Sequence, residues 1–287
     1  MRYVIPKIAG LALLLFLITA FQLPHGGDKA SSGESKPEQG GQCHMKNNTF
    51  KDGETITYKL YYHLAPMWLA AGEVTFKVEE IGNQYHLSAE GTTYSFYEWF
   101  FKVRDYYDSY VDKNTLLPSL SIRKIQEGKY TLYDKIYFDQ EGRKAISDRG
   151  RTIESTKRKE YELENCMHDM LSIIYYSRNL DFESYQPGHK FPVTIFMDEK
   201  SWPLKVEYMG KDERKKIKGQ GRFKTIEFSP EVIEGYVFKK DTRMKVWVSD
   251  DKNRIPLLIE SPVSVGKVKA VLEDYKGLKY DLSSKLD

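Results

Sequence analysis

Hydrophobic and polar positions alternate with a period of two along most of the chain, and that alternation begins at Phe50. Ile56, Tyr58, Leu60 and Tyr62 alternate with Thr55, Thr57, Lys59 and Tyr61; Val74, Phe76 and Val78 alternate with Thr75 and Lys77. Tyr85, Leu87 and Ala89 follow the turn Gly82-Asn83. A two-residue period places successive side chains on opposite faces of a sheet, so these segments predict half-buried antiparallel strands. Between them, residues 63–72 are apolar but carry Pro66 and Gly72, which predicts a hairpin loop or strand edge.

Further strands are predicted at 102–112, 120–126, 129–139 and 143–146, and after the middle of the chain at 190–197, 204–208, 222–228, 244–249, 257–261 and 267–275. The charged run Asp148 to Glu164 predicts a solvated loop or edge hairpin, and Lys211 to Lys218 a solvated hairpin end. Two segments break the period. Met170, Leu171, Ile174 and Tyr175 share one face at the helical period, so a central helix is expected over about 167–179, with Asn165 as its N-cap and Arg178 in its last turn. Ser95 and Glu98 have capping-box spacing, which predicts a short aromatic helix over about 96–101.

The acidic turn Val111-Asp-Lys-Asn-Thr-Leu-Leu-Pro118 has a counterpart in Val248-Ser-Asp-Asp-Lys-Asn-Arg-Ile-Pro256. Each joins a strand to a Pro that opens the next strand, where no ladder donor is needed. The fold class that follows is mainly β: a curved antiparallel sheet forming a partial barrel or two β halves, with the helix over its concavity. Residues 47–279 are expected as one β-rich domain, either undivided or built from related halves at 50–147 and 180–276.

The N-terminus adds a compartment. Arg2 and Lys7 precede an apolar run from Ile8 to Phe21 that is shorter than the roughly 20 residues of a membrane span. Residues 1–21 are therefore expected to be a signal peptide cut near Ala20, or an N-terminal anchor, followed by a flexible polar linker over 22–46. In an exported chain the two cysteines, Cys43 and Cys166, are expected to form a disulfide pinning the tail to the helix. Acids and bases nearly balance at a net charge of +3, which gives no footprint for nucleic acid.

Several of these segments together resemble the bacterial domain-of-unknown-function 3108 family. They are Phe50-Lys-Asp-Gly-Glu54, Ala71-Gly-Glu73, Lys102-Val-Arg-Asp105, Asp108-Ser-Tyr-Val-Asp112, Pro118, Glu127-Gly128, Cys166-Met-His-Asp169 with Tyr175 and Arg178, and residues 246–256. The resemblance implies an exported, periplasmic or envelope-associated protein without an established activity. It supplies no catalytic residues. The strand-turn-Pro pattern is also similar to periplasmic lipoprotein carriers of the LolA and LolB kind, which implies an incompletely closed barrel with helices over an apolar cavity.

Candidate chemistry is sparse. His168-Asp169 has the residue types of a metal site but lacks ligand spacing, and Asp169 fits the first helical turn better. Arg104, Asp108 and Asp112 share one strand face and Asp105 the other, which predicts a structural ion pair of Arg104 with a neighbouring carboxylate. No nucleophile elbow or phosphate loop occurs, and no cofactor or metal is expected. The apolar loop around Trp68 and the run holding Phe100 and Phe101 are either core or, with Ile174, the lining of a ligand site. The expected function is non-enzymatic binding of a lipid-like, apolar or amphipathic ligand in the envelope. The alternatives are a hydrolase acting on glycan or lipid through Asp105, Asp108 or His168, and a scaffold for an envelope protein. Membrane contact is expected only through an uncleaved N-terminal segment.

Overall fold

The computed structural model describes residues 43–64, 66–99, 101–233, 242–263 and 266–287. The leader, nearly all of the linker, and Phe100 lie outside the described residues. The first eight strands are β1 (Thr55–Leu64), β2 (Met67–Ile81), β3 (Gln84–Thr93), β4 (Val103–Asp112), β5 (Pro118–Glu127), β6 (Tyr130–Asp139), β7 (Lys144–Gly150) and β8 (Lys157–Glu162). After a helix come β9 (Lys190–Met197), β10 (Lys200–Ile217), β11 (Gly221–Pro230), β12 (Lys245–Ser249), β13 (Pro256–Pro262) and β14 (Lys267–Lys276).

All fourteen form one antiparallel sheet in the order β8-β7-β6-β5-β4-β3-β2-β1-β14-β13-β12-β11-β10-β9. Each strand pairs with its sequence neighbour, and β1 pairs with β14 to join the two runs. Only β8 and β9 are left as edges, so the sheet is a curved, unclosed barrel. Curvature has local causes. The ladders slip between Leu60 and Tyr61, between Tyr110 and Val111, and between Trp247 and Val248. Such bulges bend and twist a strand. At the first of them Gly72 is required, because a Cβ there would collide with the carbonyl of Thr92.

Alternation decides which face is inside. In β4, Val103, Asp105, Tyr107, Ser109 and Val111 are buried and the residues between them are not. The main core includes Phe50, Ile56, Tyr58, Leu87, Leu171, Tyr175, Trp247 and Leu272. A second cluster of Ile136, Phe138, Leu163, Met167 and Phe196 packs across the gap between the two edges. Outward, β8 carries an almost wholly exposed charged sequence, which protects an edge from pairing with other chains.

The central helix, α2 (Met170–Ser177), is shorter than its apolar pattern predicts, and its cap is not Asn165. Cys166 has φ 56°, and the backbone of His168 pairs with β9 through His168 N to Thr194 O at 3.1 Å and Phe196 N to His168 O at 2.8 Å. A segment paired as a strand cannot also be helical. The cap is Asp169, whose Oδ1 accepts from Leu171 N and Ser172 N at 2.8 Å each, while Ser172 Oγ accepts from Asp169 N at 2.9 Å. The aromatic helix, α1 (Ser95–Glu98), is a single turn that starts after Tyr94; Ser95 is inside it and caps nothing. Glu98 binds Arg104 instead. The basic stretch 211–218 is the hairpin end expected, the last part of β10 leading into the turn to β11, where Ile217 pairs with Gly221.

The two acidic turns share their geometry. Asp112 Oδ1 accepts from the amides of Asn114 and Thr115, and Asp251 Oδ1 from those of Asn253 and Arg254. Leu116 and Arg254, each two residues before the Pro, both have positive φ. In each copy the acid satisfies turn amides that strand pairing leaves over.

Candidate functional site

The concave face of β1, β2 and β9 to β14 does not close completely onto α2. Between them lies a cavity of about 250 Å³. Its walls are Ile56, Val74 and Phe76 from the first two strands, Val193, Val206, Phe228, Val248 and Ile259 from the later ones, and Met170, Ile173 and Ile174 from α2. This lining follows from the alternation: inward positions of these strands are aliphatic or aromatic, and α2 faces them with its apolar side. The polar groups at its inner end are already engaged. Tyr58 donates to Pro256 O at 2.9 Å, and Arg254 Nη1 donates to the carbonyls of Arg178 and Leu180. At the end beside the β11–β12 connection, Glu231 N donates to Lys205 O at 2.8 Å and the Glu231 carboxylate accepts from Lys205 N at 3.0 Å, with Val232, Ile233 and Met244 also in the lining.

Of the residues singled out from the sequence as ligand-binding, Ile174 lines this cavity. Trp68 lies elsewhere: its ring packs on His63 at 4.8 Å and under the Lys269 ammonium at 4.1 Å. Phe101 packs over Gly128. Phe96 and Trp99, from the same aromatic run, are 75% and 83% exposed, so these rings are not core. The lining residues supplied by β9 to β13 escaped the sequence reading because an aliphatic inward position looks the same whether it faces core or cavity.

The predicted ion pair of Arg104 with a carboxylate on a neighbouring strand does not form. Arg104 pairs with Glu98 of α1, Asp108 with the ring of His86 at 2.8 Å, and Asp105 accepts from Gln126 N at 3.1 Å. Alternation separates them: Asp105 points into the barrel, Arg104 and Asp108 outward. Burial, opposed by hydrogen bonds from Gln126 N and Glu127, pushes the Asp105 carboxyl up to about 7. The hydrogen bond to Asp108 raises the His86 pKa. His168 is 3% exposed, contacts Ser172 Oγ at 3.2 Å and the Tyr176 ring at 4.5 Å, and burial pushes it down to about 3. It is a neutral core imidazole. Asp169 is raised by burial, although Ser109, Leu171 and Ser172 all donate to it. No group of three or more metal-ligating side chains occurs among the described residues.

Two buried charge clusters had no signature in the sequence. Arg178 donates to Glu54 through both terminal nitrogens. Arg123 and Arg149 converge on Asp134 and Asp198. Burial alone would raise Asp198, but the two guanidiniums outweigh it and hold this carboxyl below the usual range. Cys43 and Cys166 are joined as a disulfide with Cα atoms 5.5 Å apart.

A family model described as a protein of unknown function, DUF3108, matches residues 57–273. The chain belongs to this family. The DUF3108 chain is similar in structure to a beta-barrel-like protein of the domain of unknown function DUF1849 from Brucella abortus, with a TM-score of 0.55 and 8% identity over 80% of this chain and 98% of that one. That likeness is one of fold. A candidate lipoprotein from Parabacteroides distasonis shares 13% identity over 82% of the DUF3108 chain and 100% of its own, and a candidate exported protein with YmcC-like fold from Bacteroides fragilis 10% over 81% and 99%; each has a TM-score of 0.29. No curated protein matches the sequence.

Proposed function

We propose that this protein is an exported envelope protein that binds an apolar or amphipathic ligand, without catalysis, in the cavity between α2 and the sheet. The observation that carries the reading is the lining: a space of about 250 Å³ walled by aliphatic and aromatic side chains, with its buried polar groups already satisfied. Apolar cavities of about 150 Å³ stay dry and take up small hydrophobic molecules, and small-molecule sites begin at about 300 Å³. The size suits one hydrocarbon chain better than a whole lipid. Export is supported by the basic and apolar N-terminal pattern and by the disulfide, which needs an oxidising compartment to persist.

The geometry gives the hydrolase reading no assembled site, since Asp105, Asp108 and His168 have separate partners on different faces. The strand-edge scaffold is disfavoured by the charged sequence of β8 and by the 166–169 segment that lies along β9.

The test is uptake of a fluorescent fatty acid by the purified protein. Wild type is expected to bind it, and Ile174→Trp, which fills the cavity from α2, to weaken binding about tenfold or more with little change in thermal unfolding. Absence of uptake by wild type, or full uptake by Ile174→Trp, would overturn the reading. Native mass spectrometry of protein from envelope fractions then identifies what copurifies.

A further inference from the structure

An antiparallel meander sends alternate connections to opposite rims. Here β1–β2, β3–β4, β5–β6, β7–β8, β9–β10, β11–β12 and β13–β14 all turn at one rim. The ladders place these turns together: Leu64 pairs with Met67, His63 with Lys267, and Val206 with Pro230. This rim carries Met67, Trp68, Phe96, Trp99 and Ile153, exposed by 61%, 37%, 75%, 83% and 58%. Both tryptophans more than a third exposed are here. Large apolar side chains clustered at one end of a molecule mark an interaction surface, because leaving them in water forgoes their transfer free energy.

Charge indicates the occupant. Lys102, Lys129, Arg151, Lys200, Arg243 and Lys267 are exposed in these connections or at the strand ends flanking them, against one exposed acid, Glu154, among the described residues there. Tryptophan and phenylalanine surrounded by lysine and arginine match the interface of an anionic bilayer, where rings sit at the headgroup level and cations meet phosphates. Protein partners of this size class are met by patches whose centres are depleted of charge. Continuity adds a second argument. The end of the cavity lined by Lys205, Val232, Ile233 and Met244 lies beside the β11–β12 connection, on this same rim.

We propose that this rim docks on the surface of an anionic phospholipid bilayer, with Phe96 and Trp99 at the headgroup–acyl boundary and the rim end of the cavity turned toward the membrane. This extends the sequence expectation, which confined membrane contact to the N-terminal segment. Docking stands independently of cavity binding: fatty-acid uptake is measured without a bilayer, so either reading fails alone.

The experiment uses the full chain with phosphatidylglycerol–phosphatidylethanolamine vesicles whose acyl chains are brominated. Bromine quenches only tryptophan that reaches the acyl region, so the signal reports the rim whatever the N-terminal segment does. Wild type is expected to be quenched, and Trp99→Phe to lose about half of that quenching or more. Phe96→Ser, an exposed change that leaves folding intact, is expected to reduce it too, as is replacing phosphatidylglycerol with phosphatidylcholine. Quenching absent in wild type, unchanged in Trp99→Phe, or equal on zwitterionic vesicles would overturn the proposal.

Discussion

Arg178, capping α2, and Glu54, just ahead of β1, form a bidentate ion pair at 2.6 and 2.9 Å with both side chains almost completely removed from water. The same guanidinium donates to Asn253 O in the β12–β13 turn and to Thr49 O, and lies over the rings of Phe50 and Tyr175. One side chain thus ties the helix to both runs of strands. Removing one partner of a buried pair leaves the other charged and unpaired, so Arg178→Met is expected to cost about 3–5 kcal/mol in urea unfolding. Arg178→Lys should cost nearly as much, because an ammonium cannot reproduce the planar fork.

Asp198 stands in the β9–β10 turn with φ 53° and holds Arg123 of β5 and Arg149 of β7 across the open edge of the sheet. Asp198→Asn keeps a residue that tolerates the left-handed turn but removes the charge. It is expected to cost about 2–5 kcal/mol. Hydrogen exchange at the amides of His168 and Phe196, which bond across this gap, should rise more than at β3 or β4.

The disulfide encloses a long loop, with its cysteines 123 residues apart in sequence. Cys43→Ser with Cys166→Ser is expected to lower stability by about 2–4 kcal/mol, the usual range for such a link. Thermal unfolding with and without reductant measures it, and non-reducing peptide mapping should find the 43–166 linked peptide.

His168 and Asp105 give pH dependences of opposite sign. For His168 the folded pKa of about 3 lies below the ordinary 6.5, so the unfolded chain binds a proton that the folded one refuses between those values. This contribution is intact above pH 6.5 and is lost as pH falls toward 3. The His168 imidazole NMR signals of the native protein should therefore not titrate between pH 8 and 5.

For Asp105 the folded pKa of about 7 lies above the ordinary 3.8, so the folded chain binds the extra proton and stability falls as pH rises through that window. Asp105→Asn keeps an acceptor for Gln126 N and removes the ionisation. The variant is expected to gain on wild type by about 1 kcal/mol or more between pH 4 and pH 8, measured as the difference in urea stability at the two values.

Legibility varied along the chain for a physical reason. The strands from Thr55 to Asp139 could be read because one face is wet, and a wet face imposes alternation. The end of α2 nearest Asp169 could not be located, since Met167 and His168 are as apolar in environment as the helix but belong to a strand-like segment along β9. For the candidate site, Ile174 was legible from the helical period, whereas Trp68, Phe96 and Trp99 were not: apolarity alone does not say whether a loop turns inward or outward. No sequence pattern singled out Arg123 or Asp198, and Arg149 fell in the charged run expected to be solvated. Their partners lie 75 and 49 residues apart in sequence, so only the curving sheet brings them together.

By itself the sequence determined the β class, the inward set of the first three strands, the acidic turns before Pro118 and Pro256, and the family, because each depends on residues close along the chain. Only the tertiary structure decided that β1 pairs with β14, that the edges meet through Asp198, and that an apolar space remains beneath α2. Those outcomes depend on how far fourteen strands curve and on what is left unfilled when they stop, a sum over distant contacts that no local pattern contains.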